Sequence, residues 1–195
     1  MKNDKTTAKE AKLNAILDAA TALLVEKPTA SMNEIAEYAG IGIATLHRYV
    51  ESREQLMLQL GLRAAQVVGE TISHIPADEE HSEAYIPALI EALIPLGDKI
   101  NFLAHEMSLN YNAEMQEAED NVKEPIRRMI ASLQRKGYFR QDMSAEWILN
   151  VMYSLLFATW QQVQEGNVAK KAAAELLLGT LFHGFKVHNS SSQEQ

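Results

Sequence analysis

The distribution of apolar residues along this chain predicts helices and no strands. Apolar positions such as Leu13, Ile16 and Ala20 recur three and four residues apart, which is the spacing of an amphipathic helix. The predicted helices cover residues 9–26, 31–39, 42–50, 53–73, 82–93, 98–110, 113–136, 144–165 and 168–186. The pattern therefore predicts an all-α protein of about nine helices, preceded by a polar arm that we expect to be frayed.

The stretch from Ser31 to Glu54 contains two short helices joined by a tight turn. Ser31 is a good N-cap, and Glu34 three residues later completes a capping box. Gly40 follows the first helix and can adopt a left-handed conformation without steric cost. Ser52 is placed to cap the next helix, which begins at residue 53. These residues predict a helix, a turn and a second helix of about nine residues.

A helix-turn-helix requires residues of these types at this spacing. Ala36 is small enough for a steep helix crossing, and Leu46 supplies one apolar anchor to the crevice. The opposite side of the second helix stays free to contact base edges, methyl groups and phosphates in a major groove. That side carries Ile43, Ala44, Thr45, His47 and Arg48. On the helical pattern alone, a hairpin that contacts nothing remains an alternative.

The motif I-A-x-x-A-G-I-x-x-A-T-L-H-R-Y-V-x-S-R-E-x-L resembles the DNA-binding motif of the tetracycline-repressor (TetR) family. The likeness covers about residues 13–60 and departs from the common form at Gly42, Ala44, His47 and Val50. It implies a homodimeric repressor on a palindromic operator in double-stranded DNA, released by a small molecule. We expect Ile43, Ala44, Thr45 and His47 to read bases, Thr45, Arg48, Tyr49 and Arg53 to hold phosphates, and Met32 and Asn33 to reach the backbone or a base edge.

Composition and charge restrict these predictions. Apolar residues make up 47% of the 195 residues, charged residues 23%, and there is no Cys, which fits a cytoplasmic protein without disulfides. Up to Arg63 basic and acidic residues balance at eight each, so the net charge of −8 belongs to the rest of the chain. Since an acidic surface repels phosphate, we expect DNA contact only in the N-terminal part. Charge alone also allows a protein that binds no nucleic acid.

The chain divides into two predicted domains and a tail. Residues 1–52 form a three-helix DNA-binding domain, and residues 53–188 a helical ligand-binding and dimerisation domain, with helix 53–73 connecting the two. Pro76 and the D-E-E-H run at 78–81 mark a loop, and residues 189–195 read as a disordered tail. We see no signal peptide, and the longest apolar run, 148–160, is too short and polar to span a bilayer.

The second domain is predicted to sense a small molecule and to dimerise. Apolar cavities with a few polar groups are the usual form of such sites. The candidate lining residues are Phe102, His105, Met107, Tyr111, Met129, Tyr153, Phe157 and Trp160. Helices 144–165 and 168–186 each carry apolar residues on two sides, so one side of each is a candidate dimer face. For both features, ordinary packing within one subunit is the alternative.

No motif predicts catalysis, a cofactor or a metal. The chain has no Gly-rich phosphate loop and no H-E-x-x-H, and its six His residues lack metal-ligand spacing. We therefore expect a regulator and not an enzyme. A scaffolding dimer with a vestigial helix-turn-helix and a helical enzyme remain the alternatives from other classes.

Overall fold

A computed structural model of the chain describes residues 3–77, 82–105, 109 and 111–184, and these residues form helices and loops without a strand. The α-helices are α1 Asn3–Glu26, α2 Met32–Tyr38, α3 Ile43–His47, α4 Arg53–Ser73, α5 Tyr85–Leu93, α6 Gly97–His105, α7 Ala113–Arg135, α8 Ala145–Gln164 and α9 Ala173–His183. Short 3₁₀ turns lie at Ser82–Ala84, Ile94–Leu96 and Lys170–Ala172. The predicted all-α fold is confirmed.

The chain forms two compact units. Unit 1 comprises the described residues up to Val67 together with those from Phe102 to Glu119. Unit 2 comprises those from Val68 to Asn101 and from Asp120 onward. The division falls within α4, α6 and α7, so these continuous helices contribute residues to both units.

Unit 1 has a small core at the crossing of its first four helices. α1 packs on α2, and α2 packs on α3. The spacing of apolar residues in α1 puts Ile16, Leu17 and Ala20 on one face, and all three are buried. The other helices supply Ile35, Ala36, Leu46, Leu56, Met57 and Leu60, which are also buried. This core holds the two short helices that have too few residues to be stable alone.

Unit 2 has a larger core arranged around α5. Ile86, Leu89, Ile90 and Leu93 of this helix are almost completely buried. They share one hydrophobic cluster with Ile126, Ile130 and Leu133 of α7, Leu149, Met152 and Leu156 of α8, and Ala173 and Leu177 of α9. α9 packs against both α5 and α8. Gly97, at the beginning of α6, lies directly beneath the indole of Trp160, because an added Cβ would fall 1.7 Å from Trp160 Cδ1.

Several helix boundaries agree with the sequence pattern and several do not. α4 covers the predicted residues, and α8 lies between its N-cap Ser144 and its C-cap Glu165. The first helix begins at Asn3, so the residues after Asn3 are not the frayed arm that their polarity predicted. α3 ends at His47, three residues earlier than expected. A proline inside a helix predicts a kink or a restart, and α7 continues through Pro125 without a restart.

The last helix is shorter than predicted within the described residues. A 3₁₀ turn occupies 170–172, so α9 begins at Ala173, and the positive φ of 66° at Gly184 follows its last turn. Three predicted features lie largely outside the described residues: the loop at the D-E-E-H run 78–81, the end of the sixth helix at 106–110 and the tail 189–195.

Candidate functional site

The beginning of α2 is fixed by a reciprocal set of hydrogen bonds. Ser31 Oγ accepts from the backbone N–H of Glu34 (3.3 Å), and the Ser31 N–H donates to Glu34 Oε2 (2.8 Å), so the predicted capping box is present. Lys27 forms an ion pair with the same carboxylate. The hydrogen bond from Lys27, followed by those from Ser31, lowers the pKa of Glu34 to about 2. Glu34 is therefore ionised at neutral pH, as the box requires.

The turn after α2 is closed by two backbone hydrogen bonds around a left-handed glycine. The Ile41 N–H donates to the Ala36 carbonyl (2.9 Å) and the Gly40 N–H to that of Glu37 (3.0 Å), which is a Schellman motif. Gly40 has a φ of 65°, a conformation that side chains with a Cβ rarely adopt. The sequence therefore predicted this turn correctly, and the turn sets the direction in which α3 leaves α2.

α3 packs one side on the core and exposes the other. Leu46, the predicted anchor in α3, is completely buried, and so is Val50 just after the helix. Ile43 is 37% exposed, Ala44, His47 and Arg48 are also exposed, and Thr45 and Tyr49 are half-buried. The His47 Nδ1–H donates to the Glu51 carbonyl (3.1 Å), which fixes the orientation of the ring.

The remaining predicted contact residues lie at two helix starts. On α2, Asn33 is exposed and Met32 is half-buried. Arg53 begins α4, after Ser52, whose Oγ accepts from the Gln55 N–H (3.2 Å). The Arg53 guanidinium donates through Nη1 to the Ala30 carbonyl and through Nη2 to the Pro28 carbonyl (3.1 Å). Sequence reasoning missed these two bonds, because nothing in the local pattern shows which loop carbonyls lie near a given arginine.

The candidate ligand residues are divided between the units. In unit 2, Met129 is buried, and Tyr153, Phe157 and Trp160 are half-buried. In unit 1, Phe102 is half-buried and Tyr111 is 94% exposed. The side chain of His105 and the whole of Met107 lie outside the described residues.

Unit 2 contains a small apolar cavity of about 10 Å³. It is lined by Leu89, Ile90, Leu93, Ile126, Leu149, Met152, Tyr153 and Leu156. Of the described candidates only Tyr153 lines it. Met129 is an ordinary core residue, which a sequence pattern cannot separate from a binding residue, and Tyr111 is exposed. The volume is about that of one water molecule, so a larger ligand requires the surrounding side chains to move.

One arginine joins α7 to α8 in unit 2. Arg127 Nε donates to Glu146 Oε2 (2.7 Å), and its terminal nitrogens lie 3.1 Å from Asp120 and 3.5 Å from Glu124. The hydrogen bond to Glu146 is the main cause that raises the pKa of Arg127.

The described residues hold no group of three His, Cys, Asp or Glu arranged to bind a metal. No helix in the described part of the chain has both the length and the apolar character needed to cross a bilayer.

Comparison with known proteins identifies the helix-turn-helix segment. Residues 16–60 match the model of the tetR family of bacterial regulatory proteins. The transcriptional repressor LfrR of Mycolicibacterium smegmatis is 28% identical over 159 residues, which is 82% of each chain. The transcriptional regulator NfxB of Pseudomonas aeruginosa is 25% identical over 173 residues, which is 87% of this chain and 91% of that protein.

Solved structures share the fold over nearly the whole chain. The crystal structure of LfrR from Mycobacterium smegmatis with proflavine has a TM-score of 0.75 at 23% identity, covering 93% of this chain and 99% of that one. The crystal structure of AibR with isovaleryl coenzyme A and operator DNA has a TM-score of 0.72 at 16% identity, covering 89% and 100%. At these identities the structural likeness extends to the fold alone.

Proposed function

We propose that this chain, a member of the TetR family of bacterial transcriptional regulators, is a repressor that binds a palindromic operator as a homodimer and is released by a small molecule. Its matched relatives are regulators of transcription and not enzymes. The observation that carries the proposal is the capped, tightly turned α2–α3 pair, whose inner side is buried and whose outer side is exposed. Such a regulator works where the DNA is, in the cytoplasm.

The outer side of α3 is the proposed recognition surface. Ile43, Ala44, Thr45 and His47 read base edges and methyl groups, and Thr45, Arg48 and Tyr49 hold phosphates. Met32 and Asn33 at the start of α2 reach the sugar-phosphate backbone or one base edge. Because α3 has only five residues, its whole length can lie within one major groove.

Dimerisation is proposed through the helices predicted at 144–165 and 168–186. The two predicted apolar stripes of α8 are buried or half-buried within the chain, so neither is a free face. A different line on α8 is exposed and consists of Trp147, Asn150, Ser154, Ala158 and Gln161. On α9 the exposed line is Leu176, Gly179 and His183, with Leu176 50% exposed, and Ala172 precedes it at the end of the 3₁₀ turn. Small residues in both lines allow close helix approach in a four-helix interface.

The small molecule is proposed to act through unit 2. The crystal structure of LfrR contains proflavine, and that of AibR contains both isovaleryl coenzyme A and operator DNA. In this chain the cavity beside Tyr153 is the proposed point of entry. A ligand that binds only an opened form of this core shifts the population toward that form. Since α4 is one continuous helix with residues in both units, it is the proposed route to the DNA-binding domain.

In vitro selection of random duplex DNA by the purified protein, at physiological salt, tests the function directly. We expect a palindromic motif with half-site centres about 34–36 Å apart or slightly more. Failure to enrich any sequence would reject operator binding by the ligand-free protein.

Arg48→Ala should weaken binding and reduce the slope of log K against log salt by about one for each protomer. Arg135→Ala, an exposed charge of the same sign in unit 2, is the control and should leave both unchanged.

Sedimentation measurements test the dimer separately from DNA. Leu176→Glu places a charge in the proposed interface and should raise the dissociation constant of the dimer about tenfold or more, since a buried unpaired charge is costly. Ala84→Glu adds the same charge at an exposed site on another part of unit 2 and should not change it. A Leu176→Glu protein that remains as dimeric as the wild type would contradict this interface.

A further inference from the structure

Hydrogen bonds connect the first residue of α4 to the loop that leads into α2. The Arg53 guanidinium donates to the Ala30 carbonyl and, at 3.1 Å, to the Pro28 carbonyl. Ser31, the residue after Ala30, is the N-cap of α2 and is hydrogen-bonded in turn to Glu34. Arg53 therefore holds the loop immediately before the point where α2 begins.

The chemistry of this contact requires an arginine. Its planar guanidinium presents several N–H groups in a fixed geometry, so it can bridge two carbonyls of one loop. A lysine ammonium keeps the positive charge but lacks that planar fork. Ala30 is completely buried and Arg53 is half-buried, so part of the guanidinium is directed into the protein and not toward a DNA phosphate. Each of the two Nη nitrogens directs one of its two N–H groups at a carbonyl, which leaves fewer N–H groups of Arg53 for a DNA phosphate.

α4 has a second arginine contact with the same domain. Arg63 lies ten residues later, about 15 Å along the helix at 1.5 Å per residue. Its Nη2 lies 2.7 Å from Asp18 Oδ1, and its Nη1 donates to the Asn14 carbonyl (3.4 Å) in α1. The Arg63 contact holds the body of α1, whereas the Arg53 contact holds the loop that leads into α2. Only the Arg53 contact can therefore set the orientation of α2 directly.

We propose that Arg53 is a positioning residue for DNA recognition, which fixes α2 and the attached α3 against the start of α4, and that it is not mainly a phosphate contact. The proposal rests on the proposed function, since the orientation of α3 matters only if this helix docks on DNA. Recognition residues must be held within fractions of an ångström, and the supporting residues supply that precision. α2 packs directly on α3, so a loosened α2 start changes the pose of α3 as well.

The salt dependence of DNA binding separates positioning from phosphate contact. Arg53→Lys and Arg53→Ala are measured on the selected operator across a salt series, at a temperature where both proteins are fully folded. Because both lose the carbonyl bridge, each should weaken binding about tenfold, with the wild-type slope of log K against log salt. Arg63→Ala, the matched control on the same helix, should bind within about twofold of the wild type, since its exposed ion pair contributes little.

Hydrogen exchange of the DNA-free protein supplies the second readout. Amides in residues 27–36 should exchange faster in Arg53→Lys than in the wild type or in Arg63→Ala, because the loop has lost its anchor. Unchanged exchange in that segment would overturn the proposal. So would wild-type affinity in Arg53→Lys, or a salt slope reduced by about one per protomer in Arg53→Ala. If the wild type selects no duplex at all, the proposed function itself fails, and positioning for DNA fails with it.

Discussion

The helix-turn-helix of unit 1 and the helical body of unit 2 differ in where their candidate chemistry lies. In unit 1 the interior is small and apolar, and the candidate residues, such as His47 and Arg48, lie outside it. In unit 2 the candidate site is the interior itself, where the cavity measures only about 10 Å³. One unit therefore presents a finished surface, whereas the other must rearrange its core before it can hold a ligand.

This difference suits a molecule that reads one partner and responds to another. A surface that reads DNA gains from rigidity, and here a capping box, a Schellman turn and the Arg53 contact all restrict α2 and α3. A core that senses a ligand needs a second conformation within a few kcal/mol of the first. Substitutions on the surface of unit 1 should therefore change DNA binding without changing stability. Substitutions in the core of unit 2 should change ligand binding and stability together.

The largest expected effect is the difference in stability between substitutions on opposite sides of α3. Leu46→Ala removes a completely buried side chain and should lower the free energy of unfolding by about 2–5 kcal/mol, because it leaves a cavity in a small core. Ile43→Ala changes a side chain on the exposed side and should change stability by less than about 0.5 kcal/mol while it weakens operator binding. Urea denaturation and DNA titration of both variants measure the two quantities.

The pair tests whether the two sides of α3 have separate roles. If Ile43→Ala destabilised the protein as much as Leu46→Ala, the exposed side would belong to the core. If Ile43→Ala bound the selected operator with wild-type affinity, this residue would not belong to the recognition surface.

The sequence was sufficient for the limits of α2 and α4, which depend on residues close together in the chain. Ser31 and Glu34 lie three residues apart, and Gly40 directly follows the C-cap of α2, so both ends of α2 could be predicted. The limits of α4 were predicted for the same reason, since Ser52 caps it and the apolar spacing continues to Ser73. Local chemistry decides these features almost independently of the rest of the fold.

Features that depend on distant residues could not be predicted in this way. Arg53 bonds to carbonyls 23 and 25 residues away, and no periodicity of side chains reports the position of a carbonyl. The cavity lining comes from α5, α7 and α8, whose relative packing one sequence does not reveal. Which side of α8 is exposed depends on the same packing, and the apolar stripes alone did not identify it.

Two glycines of unit 2 provide the next largest contrast. In Gly97→Ala the added Cβ would fall 1.7 Å from Trp160 Cδ1, so the indole or α6 must move, at a cost of about 1–3 kcal/mol. The φ of −58° at Gly97 suits any residue, so this cost comes from packing alone. Gly69→Ala meets only Val122 Cγ2 at 3.4 Å and should gain up to about 1 kcal/mol from helix propensity.

Urea denaturation of the two glycine variants, with ligand binding once an effector is known, tests how tightly this core is packed. Equal stability of Gly97→Ala and the wild type would mean that Trp160 moves freely. Trp160 would then be a mobile side chain and not a fixed part of the core.

A smaller effect is expected at the N-cap of α2. Ser31→Ala removes the hydroxyl that accepts from the Glu34 N–H and should cost about 1 kcal/mol. Ser31→Thr keeps a hydroxyl that can accept from the Glu34 N–H and donate to Glu34 Oε2, so it is the matched control and should retain most of the wild-type stability. If Ser31→Ala and Ser31→Thr unfold at the same urea concentration, the cap does not contribute to stability.

The smallest expected effect is the pH dependence of the same cap. The pKa of Glu34 is about 2 in the folded protein, against an ordinary value of 4.5, because Lys27 and Ser31 stabilise the carboxylate. A lowered pKa means that this stabilisation is complete above the ordinary pKa and is lost as pH falls from about 4.5 to about 2. The stability advantage of the wild type over Glu34→Gln should therefore shrink within that window. Lys27→Met removes the main cause of the lowered pKa and should move the loss of stability toward higher pH. If the curves of stability against pH for the wild type and Glu34→Gln stay parallel down to pH 2, this carboxylate does not stabilise α2.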